Sequence, residues 1–564
     1  MSITEQVDAL MLAMEEEYGD VVRTPGGVSW LHTHHVPVRR LVTRVVKRLT
    51  TEALGDDGTG HELVVARHDP ALGYVTYHVS DAGVAYLLDR SATAAPDATE
   101  EYLPVRTSAE QQHPPIAQTP VCAVSWSSRH VETMLPVLSD LARRGTASTV
   151  LDLATDASHA VPNLRHSMIS VLRMPQELLA ANGGPPAHVL REVRSERTTR
   201  VGQHAFSVRK LAELAMRVLL RSADATQPSW AAAVRIENWF DSVLSRLRPS
   251  VLLCSNDTSP AGALAVRAAE RAGADTVYVQ HGAWVEGQVA WRAQHCRHIA
   301  VMGTRDVITA RLWTRRADAQ VYVVGQPRFD VLADVDRVAH RRYLEEVLLD
   351  QAREVPPKIL LWACQPFREQ RLRSQFEVIT EGLRQAGSGW GLVIAPHPAQ
   401  GAGAFGPLLE AANGTVALAD PAVGARGCLA GADALISASS TCGIEAVLLD
   451  VPVLELVLPA TRTLGLADQR AALRCSSGRD IATALGFITG ESGSARVPAT
   501  AKRAICHEVG RSAAAVADIV AQALPEATDE EQRSPHPIAQ VEATAPDRHG
   551  QPTRPDTAQG GTTR

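Results

Sequence analysis

The sequence contains no apolar run long enough to cross a bilayer as a helix, which needs roughly 20 residues. Its first twenty residues, MSITEQVDALMLAMEEEYGD, are acidic and amphipathic, whereas a secretory signal is basic and then apolar. We therefore expect a cytoplasmic protein. Peripheral contact with a membrane, for example through a lipid-linked acceptor, remains open.

The sequence also contains no CxxC pair, although it has eight cysteines. Neither a zinc site nor a disulfide framework is indicated, and we expect the cysteines to be buried reduced thiols. The tract HTHH, from His32 to His35, has the residue type of a metal site but no acidic residue at ligand spacing. We expect a solvated turn there and no bound metal.

Charge of one sign is not concentrated anywhere in the chain. The formal net charge is −6 over 564 residues, and the arginines are interspersed with acids. A nucleic acid is therefore not an expected partner. GxSxG and P-loop motifs are absent, which argues against a serine hydrolase or an NTPase. Glycine pairs lack the strand context of a dinucleotide fingerprint, so no NAD and no other cofactor is predicted.

The length and the order of apolar segments predict two core domains with extensions. We expect an α+β extension over residues 1–115 and a Rossmann-like domain over residues 116–335. A second Rossmann-like, nucleotide-binding domain is expected over residues 336–524. Residues 525–564 are rich in Pro, Gly, Thr and charge, so we expect a disordered tail.

In the first domain, VCAVSW, a helix and STVLDLAT read as a βαβ unit of a parallel sheet. Residues 162–247 read as a longer helical region, followed by the strands SVLLCSND, TVYVQHG, HIAVMG and QVYVVG. In the second domain the strand candidates are KILLWACQ, GLVIAPHP, GTVALAD, ADALISAS and VPVLELV. The predicted fold class is α/β, with two doubly wound parallel sheets that face a cleft.

Two histidines follow buried strands, His281 in VYVQHG and His397 in LVIAPHP. Polar residues at the carboxyl ends of parallel strands face the crevice where open α/β sheets bind ligands. His281, flanked by Gln280 and Gly282, is suited to take a proton from an acceptor hydroxyl or to stabilise a leaving phosphate. His397 is suited to donate to a phosphate oxygen. The alternative for each is a structural histidine in a loop.

The segment ISASSTCGIEA has small hydroxyl residues at a strand-to-helix turn, namely Ser439, Ser440 and Thr441, just before Gly443. Backbone N–H groups at such a turn favour a phosphate or pyrophosphate. Glu445, in the first turn of the helix, can accept from two ribose hydroxyls. The alternative is a serine cap with Glu445 closing a capping box.

Two arginines are candidates for the same cleft. Arg328 lies in GQPRFD after the strand QVYVVG, and its fork suits two phosphate oxygens. It can equally serve as an interdomain salt-bridge residue. Arg368 lies in ACQPFREQ after the first strand of the second domain, where it can meet a diphosphate.

The chain resembles the GT-B group of surface-carbohydrate enzymes in a series of segments. In order along the chain they are QHG, GQPRFD, PHP, and SSTCGIEA with DVPVL. The resemblance is greatest to capsule glycosyltransferases, CDP-glycerol glycerophosphotransferases and polysialyltransferase-like proteins. It covers about residues 250–456. It implies a GT-B fold, with His281 acting on the acceptor or leaving group and with His397, Ser439, Ser440 and Thr441 around the donor phosphates.

The resemblance implies a metal-independent transferase that moves a group from a nucleotide-activated sugar or polyol donor to a glycan or lipid-linked acceptor. The loop Cys364, Gln365, Pro366 departs from the Thr and Arg of that group, so the donor is not identified. Two alternatives remain open at this point. One is a non-hydrolysing UDP-sugar 2-epimerase, and the other is a non-catalytic scaffold or regulator with the same fold.

Overall fold

Two series of strands that are apolar on both faces form the two main sheets of the protein, whose structure is a computed structural model. The structure describes residues 2–50, 63–69, 74–88 and 117–525, with gaps at 158, 163, 165, 186–196, 221–227, 285–291, 368, 398–399, 401, 413, 460, 491–496 and 508. From residue 526 onward the predicted tail lies outside the described residues. Residues Met1–Leu524 form one compact unit.

The amino-terminal part is a helical layer with one hairpin. Ser2 and Glu5 form a capping box that starts the first helix. The elements are α1 (Ile3–Tyr18), α2 (Trp30–Thr33), α3 (His35–Thr50), β1 (Val64–Asp69), β2 (Tyr74–Val79) and α4 (Asp81–Leu88). Strands β1 and β2 pair antiparallel. This mixture of helices and a hairpin is the α+β character predicted from the sequence.

The first main sheet follows, with its helices and a separate hairpin. The elements are β3 (Val121–Ser125), α5 (Ser128–Arg143), β4 (Ser148–Asp152), β5 (Ile169–Arg173), β6 (Thr198–Val201), β7 (His204–Ser207), α6 (Val208–Leu219), α7 (Trp230–Leu247), β8 (Val251–Cys254), α8 (Pro260–Arg271), β9 (Asp275–Val279), β10 (His298–Val301), α9 (Asp306–Trp313) and β11 (Gln320–Val323). The seven-stranded sheet has the order β11-β10-β9-β8-β3-β4-β5 and is parallel throughout.

The prediction of one long helical region over residues 162–247 is wrong. That stretch contains the edge strand β5 and the antiparallel hairpin β6-β7 before helices α6 and α7 begin. Only Ile169 in β5 is buried, because an edge strand has a partner on one side alone. The weak apolar pattern of such a strand hides it from a reading based on hydrophobic runs.

The second main sheet has the six parallel strands β14-β13-β12-β15-β16-β17, one more than predicted. A 3₁₀ helix, Pro327–Asp334, leads into this half. The elements are α10 (Arg337–Ala352), β12 (Lys358–Ala363), α11 (Glu369–Ala386), β13 (Trp390–Ala395), α12 (Gly406–Glu410), β14 (Val416–Leu418), β15 (Ala434–Ser437), α13 (Cys442–Leu448), β16 (Val453–Leu456), β17 (Leu473–Cys475), α14 (Gly478–Thr489), α15 (Ala499–Ile505) and α16 (Ser512–Ala523). The predicted fold class, with two parallel Rossmann-type sheets, is confirmed.

Apolar layers cover both faces of each sheet. The last helix, α16, shares a layer with the first sheet, where Val516 and Val520 belong to the same buried cluster as Met134 of α5. The chain therefore returns to its first half after the second sheet is complete. Likewise, α6 contributes Leu211 and Leu214 to the core of the amino-terminal helices. The boundaries at residues 115 and 335 stay a prediction.

A buried polar seam joins the amino-terminal helices to the first sheet. The Glu237 carboxylate, fully buried on α7, accepts hydrogen bonds from the Thr24 hydroxyl at 2.7 Å and from the Gly26 N–H at 3.0 Å. Arg271 lies 3.3 Å from the same carboxylate. A buried carboxylate with three partners fixes the docking angle, because each lost partner would leave charge uncompensated.

The expectation of a solvated turn at HTHH is wrong, because this tract lies inside the seam. His34 and His35 are buried, and the ring of His32 lies 5.9 Å from that of the buried His295. The His32 Nε2 also contacts a guanidinium nitrogen of Arg315 at 2.6 Å. Burial, and after it the charge of Arg315, lowers the pKa of His32 to about 3 and lowers the pKa of His35 and His295 well below the usual range.

Acid should therefore destabilise this seam from about pH 6.5 downward. The unfolded chain takes up protons on these histidines near their usual pKa of about 6.5, whereas the folded state does not, so stability falls as the pH falls. Each fully buried histidine contributes a slope of up to about 1.4 kcal/mol per pH unit below that point. Thermal unfolding between pH 7.5 and 5 measures it.

The matched variants for that measurement are His295→Asn and His166→Asn. His295 is buried in the seam, whereas His166 is exposed. We expect the first variant to flatten the pH dependence of the midpoint and the second to leave it unchanged. An equal pH dependence in both variants would contradict the assignment.

Candidate functional site

The predicted site residues lie at the carboxyl ends of inner strands. His281 follows β9 by two residues, His397 follows β13 by two, and Ser439 follows β15 by two. Strand β13 pairs with β12, which also pairs with β15. Because parallel strands end at the same edge, His397 and Ser439 share the edge of the second sheet.

A single hydrogen bond determines the tautomer of His281. Its Nδ1 lies 2.5 Å from the carbonyl oxygen of Ser255, which follows strand β8. A carbonyl only accepts, so Nδ1 carries the proton and Nε2 of the neutral ring is a free base. Nε2 has no hydrogen-bond partner among the described residues. Desolvation lowers the pKa of His281 to about 4, and the charges of Arg328 and Arg129 act in the same direction.

A second histidine, which the sequence reading did not single out, contacts His281. The ring of His130 packs edge-on against His281, with centroids 5.1 Å apart, and against Trp126 at 4.5 Å. His130 lies in the first turn of α5 and is only 3% exposed, and burial holds its pKa well below the usual range. The segment SSRHVE directly follows the predicted strand VCAVSW, so its position at a strand end was a signal in the sequence. Only the fold shows that this strand end lies near QHG.

Gln280 and Gly282 shape the turn that carries His281. The Gln280 side chain is buried; its Nε2 donates to the Gly282 carbonyl at 3.1 Å and its Oε1 accepts from the Met302 N–H at 2.8 Å. Gln326 donates from Nε2 to the Gln280 carbonyl at 2.6 Å. These bonds tie the turn to the two following strand ends. The supporting role predicted for Gln280 and Gly282 stays a prediction.

His397 is partly exposed beside the buried Pro396. Its carbonyl accepts from the Gln400 N–H at 2.8 Å, which closes the turn after β13. Burial, followed by the charge of Arg129, lowers the pKa of His397. Since Arg129 also acts on His281, this guanidinium lies within electrostatic reach of both histidines. Pro398 and Arg368, the latter a predicted donor-binding residue, lie outside the described residues.

The hydroxyl-rich turn after β15 is tied to the neighbouring strand. The Ser439 hydroxyl donates to Oε1 of Gln365 at 2.7 Å, and Cys442 N–H donates to the Ser440 hydroxyl at 3.3 Å. Thr441 is the N-cap of the seven-residue helix α13 but makes no side-chain capping bond. A side chain on Gly443 would lie 3.0 Å from a methyl of Leu466. Gln365, for which no site role was predicted, thus joins the loop after β12 to this turn.

Glu445 does not close a capping box; it lies in a cluster of four charges. The Arg426 guanidinium contacts both carboxylate oxygens of Glu445, at 3.0 and 3.2 Å, and lies 3.3 Å from Glu132 of α5. Arg328 lies 3.8 Å from Glu132 and 3.9 Å from Glu445. Glu445 and Arg328 are thus brought together as predicted site residues, whereas Arg426 and Glu132 were missed because neither lies in a recognisable motif.

Asp257 is a further acidic residue that the sequence reading passed over, three residues after the end of β8. Its Oδ2 accepts from the N–H groups of His295 and Cys296 at 2.8 and 2.9 Å. Its Oδ1 is buried without a hydrogen-bond partner among the described residues. Burial raises the pKa of this carboxyl. The signal in the sequence was the polar segment SND at the end of a predicted strand, the strand that precedes the one ending in QHG.

The structure brings most of the predicted residues into one region. The charge of Arg328 lowers the pKa of His281. Burial raises the pKa of Cys442 to about 11, and the charges of Arg426 and Arg328 oppose that rise. Among the described residues, no group of three or more His, Cys, Asp or Glu side chains is arranged to hold a metal ion. None of the helices in the described ranges combines the length and apolar character needed to cross a membrane.

Comparisons with known proteins give structural likeness only. No family model and no curated protein matches the chain. Among solved structures, a glycosyltransferase from Rickettsia africae ESF-5 is 9% identical, covers 73% of this chain and 100% of its own, and gives a TM-score of 0.47. A UDP-GlcNAc 2-epimerase from Methanocaldococcus jannaschii is 11% identical, covers 71% and 99%, and gives 0.45. MurG from Acinetobacter baumannii is 14% identical, covers 71% and 99%, and gives 0.40.

Gly262 is a steric requirement of the site. A Cβ there would overlap the carbonyl oxygen of Asn256 and lie 2.9 Å from the Cα of Asp257, both backbone atoms. Gly262→Ala should therefore displace the loop after β8 and cost about 2 kcal/mol or more. Gly486, inside α14, has open space around its Cα. Gly486→Ala should instead stabilise the fold by up to about 1 kcal/mol.

Chemical denaturation of both variants provides the test. A destabilised Gly262→Ala beside a neutral or stabilised Gly486→Ala is the expected pair of results. An unchanged stability for Gly262→Ala would show that the loop before α8 yields easily.

Proposed function

We propose that the protein is a transferase that moves a sugar or polyol phosphate from a nucleotide-activated donor to a hydroxyl acceptor in surface polysaccharide or glycoconjugate biosynthesis. The observation that carries the proposal is the state of His281. Its tautomer leaves Nε2 as an unprotonated base with no partner among the described residues, and its lowered pKa keeps the ring neutral at cytoplasmic pH.

In this proposal His281 takes the proton of the acceptor hydroxyl as that oxygen attacks the donor. A neutral imidazole is the state that such a base requires, and the Ser255 carbonyl stabilises the imidazolium as it forms. His130, which itself packs edge-on against Trp126, holds the His281 ring in position through an edge contact. The acceptor, a glycan or lipid-linked glycan, would occupy the side of the cleft formed by the first sheet.

The donor would bind at the edge of the second sheet. His397, Ser439, Ser440 and Thr441 are the proposed contacts to its phosphates, with Arg328 supplying positive charge. Arg368 is proposed for the same role from the sequence alone. Glu445 is proposed to accept hydrogen bonds from the ribose hydroxyls, and Arg426 and Arg328 lie beside its carboxylate, at 3.0 and 3.9 Å. Hydrogen-bond donors that are already positioned around the departing phosphate would supply most of the rate enhancement.

Charge compensation of the leaving group would come from arginine and histidine, and we propose no bound metal. Arg328 and Arg426 both lie within electrostatic reach of Cys442, the first residue of α13. A guanidinium fork matches two phosphate oxygens and remains charged at any cytoplasmic pH. Turnover that persists in excess EDTA would support this part of the proposal, and recovery by Mg²⁺ after EDTA treatment would contradict it.

Nucleotide binding is the first test. Calorimetric titration with CMP, CDP, UDP, GDP and ADP should reveal one preferred base with micromolar affinity, unaffected by EDTA. His397→Ala should weaken that binding by about tenfold or more, since a buried hydrogen bond to a phosphate is charge-assisted. Absence of binding to every nucleotide would contradict the proposal and favour a non-catalytic scaffold.

Replacing His281 by Ala should separate catalysis from binding. We expect loss of turnover by a factor of about 10² to 10⁴, the usual contribution of a general base, with the affinity for the donor kept. In the wild-type protein the acid limb of the rate should fall near pH 4, because the pKa of His281 is about 4. A limb near pH 6.5, or equal loss of donor affinity in the His281 and His397 variants, would contradict the assigned roles.

The epimerase alternative is distinguished by its need for one substrate only. A 2-epimerase would interconvert UDP-GlcNAc with its manno epimer without an acceptor. A transferase would leave UDP-GlcNAc unchanged under those conditions or would release UDP only when a hydroxyl acceptor is supplied. Incubation of UDP-GlcNAc alone, followed by chromatographic analysis, separates the two reactions.

A further inference from the structure

Arg426 occupies a position that no motif predicts, between an acidic residue of each half of the molecule. Its guanidinium binds Glu445 on α13 through two contacts, at 3.0 and 3.2 Å, and Glu132 on α5 through one, at 3.3 Å. Helix α5 packs on the first sheet, whereas α13 packs on the second. The Glu132–Arg426 ion pair therefore bridges the two sheets' layers directly.

The two carboxylates differ in their exposure to water. Arg328 is a second cation for both, at 3.9 Å from Glu445 and 3.8 Å from Glu132, but Glu445 is only 1% exposed. The Glu132 side chain is 44% exposed, so water can solvate it when it leaves the cluster. Removing Arg426 from Glu132 thus costs little, whereas removing both arginines from Glu445 would leave a buried charge uncompensated.

Arg426 also lies beside the turn proposed to hold the donor phosphates. Glu445, its main partner, is four residues beyond Thr441, and the charge of Arg426 acts on Cys442 at the start of α13. A diphosphate placed against this turn would compete directly with Glu132 for the guanidinium. Phosphate oxygens accept two parallel N–H bonds from arginine, whereas the Glu132 carboxylate now takes one.

We propose that Arg426 exchanges partners on donor binding: its guanidinium leaves Glu132 and takes the diphosphate of a nucleoside diphosphate. This inference rests on the proposed function, since it concerns the nucleotide of the same cleft. Glu132 is then a built-in competitor that binds the guanidinium of Arg426 while no diphosphate is present. Glu445 and Arg328 stay in place beside the ribose. Donor binding thus replaces the direct ion pair between Glu132 and Arg426 with a contact between Arg426 and the bound diphosphate.

The exchange predicts that substitutions of the two residues of this ion pair change the affinity for the nucleoside diphosphate in opposite directions. Arg426→Ala should weaken binding of the preferred nucleoside diphosphate by about tenfold or more, through loss of a charge-assisted contact. Glu132→Gln, which removes the competing charge and keeps the shape, should tighten the same binding by about threefold. A purely structural ion pair would give weaker or unchanged binding in both variants.

An exposed ion pair of the second half supplies matched controls. Arg384 and Glu381 pair at 2.7 Å on α11, with side chains 68% and 44% exposed. Arg384→Ala and Glu381→Gln make the same charge changes and should leave nucleotide affinity unchanged. Thermal unfolding of all variants checks their folding. If Arg426→Ala is unstable, Arg426→Lys replaces it; this variant keeps the charge but loses the fork, so its affinity should be only partly reduced.

The titrations use the preferred nucleoside diphosphate, the matching nucleoside and inorganic pyrophosphate. We expect the affinity for the diphosphate to fall in Arg426→Ala and to rise in Glu132→Gln. The affinity for the nucleoside should not change in either variant. Unchanged or weakened diphosphate binding in Glu132→Gln, with normal wild-type binding, overturns the exchange and leaves the proposed function standing. If the wild type binds no nucleotide but binds pyrophosphate through Arg426, the proposed function fails and the anion site remains; binding of no probe overturns both.

Discussion

Parallel pairing of buried strands is the constraint on which the site depends, because it ends every strand of a sheet at one edge. Strand β9 delivers His281 to such an edge in the first sheet, and β13 and β15 deliver His397 and Ser439 in the second. The strands themselves are largely apolar on both faces, so most of the polar groups lie past their ends. Burial of the strands thus decides where chemistry can take place.

Desolvation sets the chemical state of the groups at those edges. It lowers the pKa of His281 to about 4 and raises that of Asp257. A carbonyl then selects the tautomer of His281, while Arg328 and Arg426 keep the buried Glu445 paired. The same effect keeps the histidines of the amino-terminal seam neutral. Burial therefore keeps both His281 and the distant histidines of the seam neutral at neutral pH.

Much of the architecture could be predicted because its strands carry strong local patterns. All five strands predicted in the second sheet are present, and so are those around QHG. The edge strands β5 and β17 and the hairpin β6-β7 were missed, since short strands with one exposed side have weak apolar patterns. HTHH was misjudged because its partners, Arg315 and His295, lie more than 250 residues away.

The sequence by itself determined the two parallel sheets and the residues at the ends of their strands, since buried strands need continuous apolar runs followed by polar turns. Only the tertiary structure decided which distant groups surround those residues. His130 beside His281, Gln365 on Ser439, and Arg426 between Glu132 and Glu445 each join separate segments. Such contacts depend on how helices pack over the sheets, and no local pattern encodes that packing.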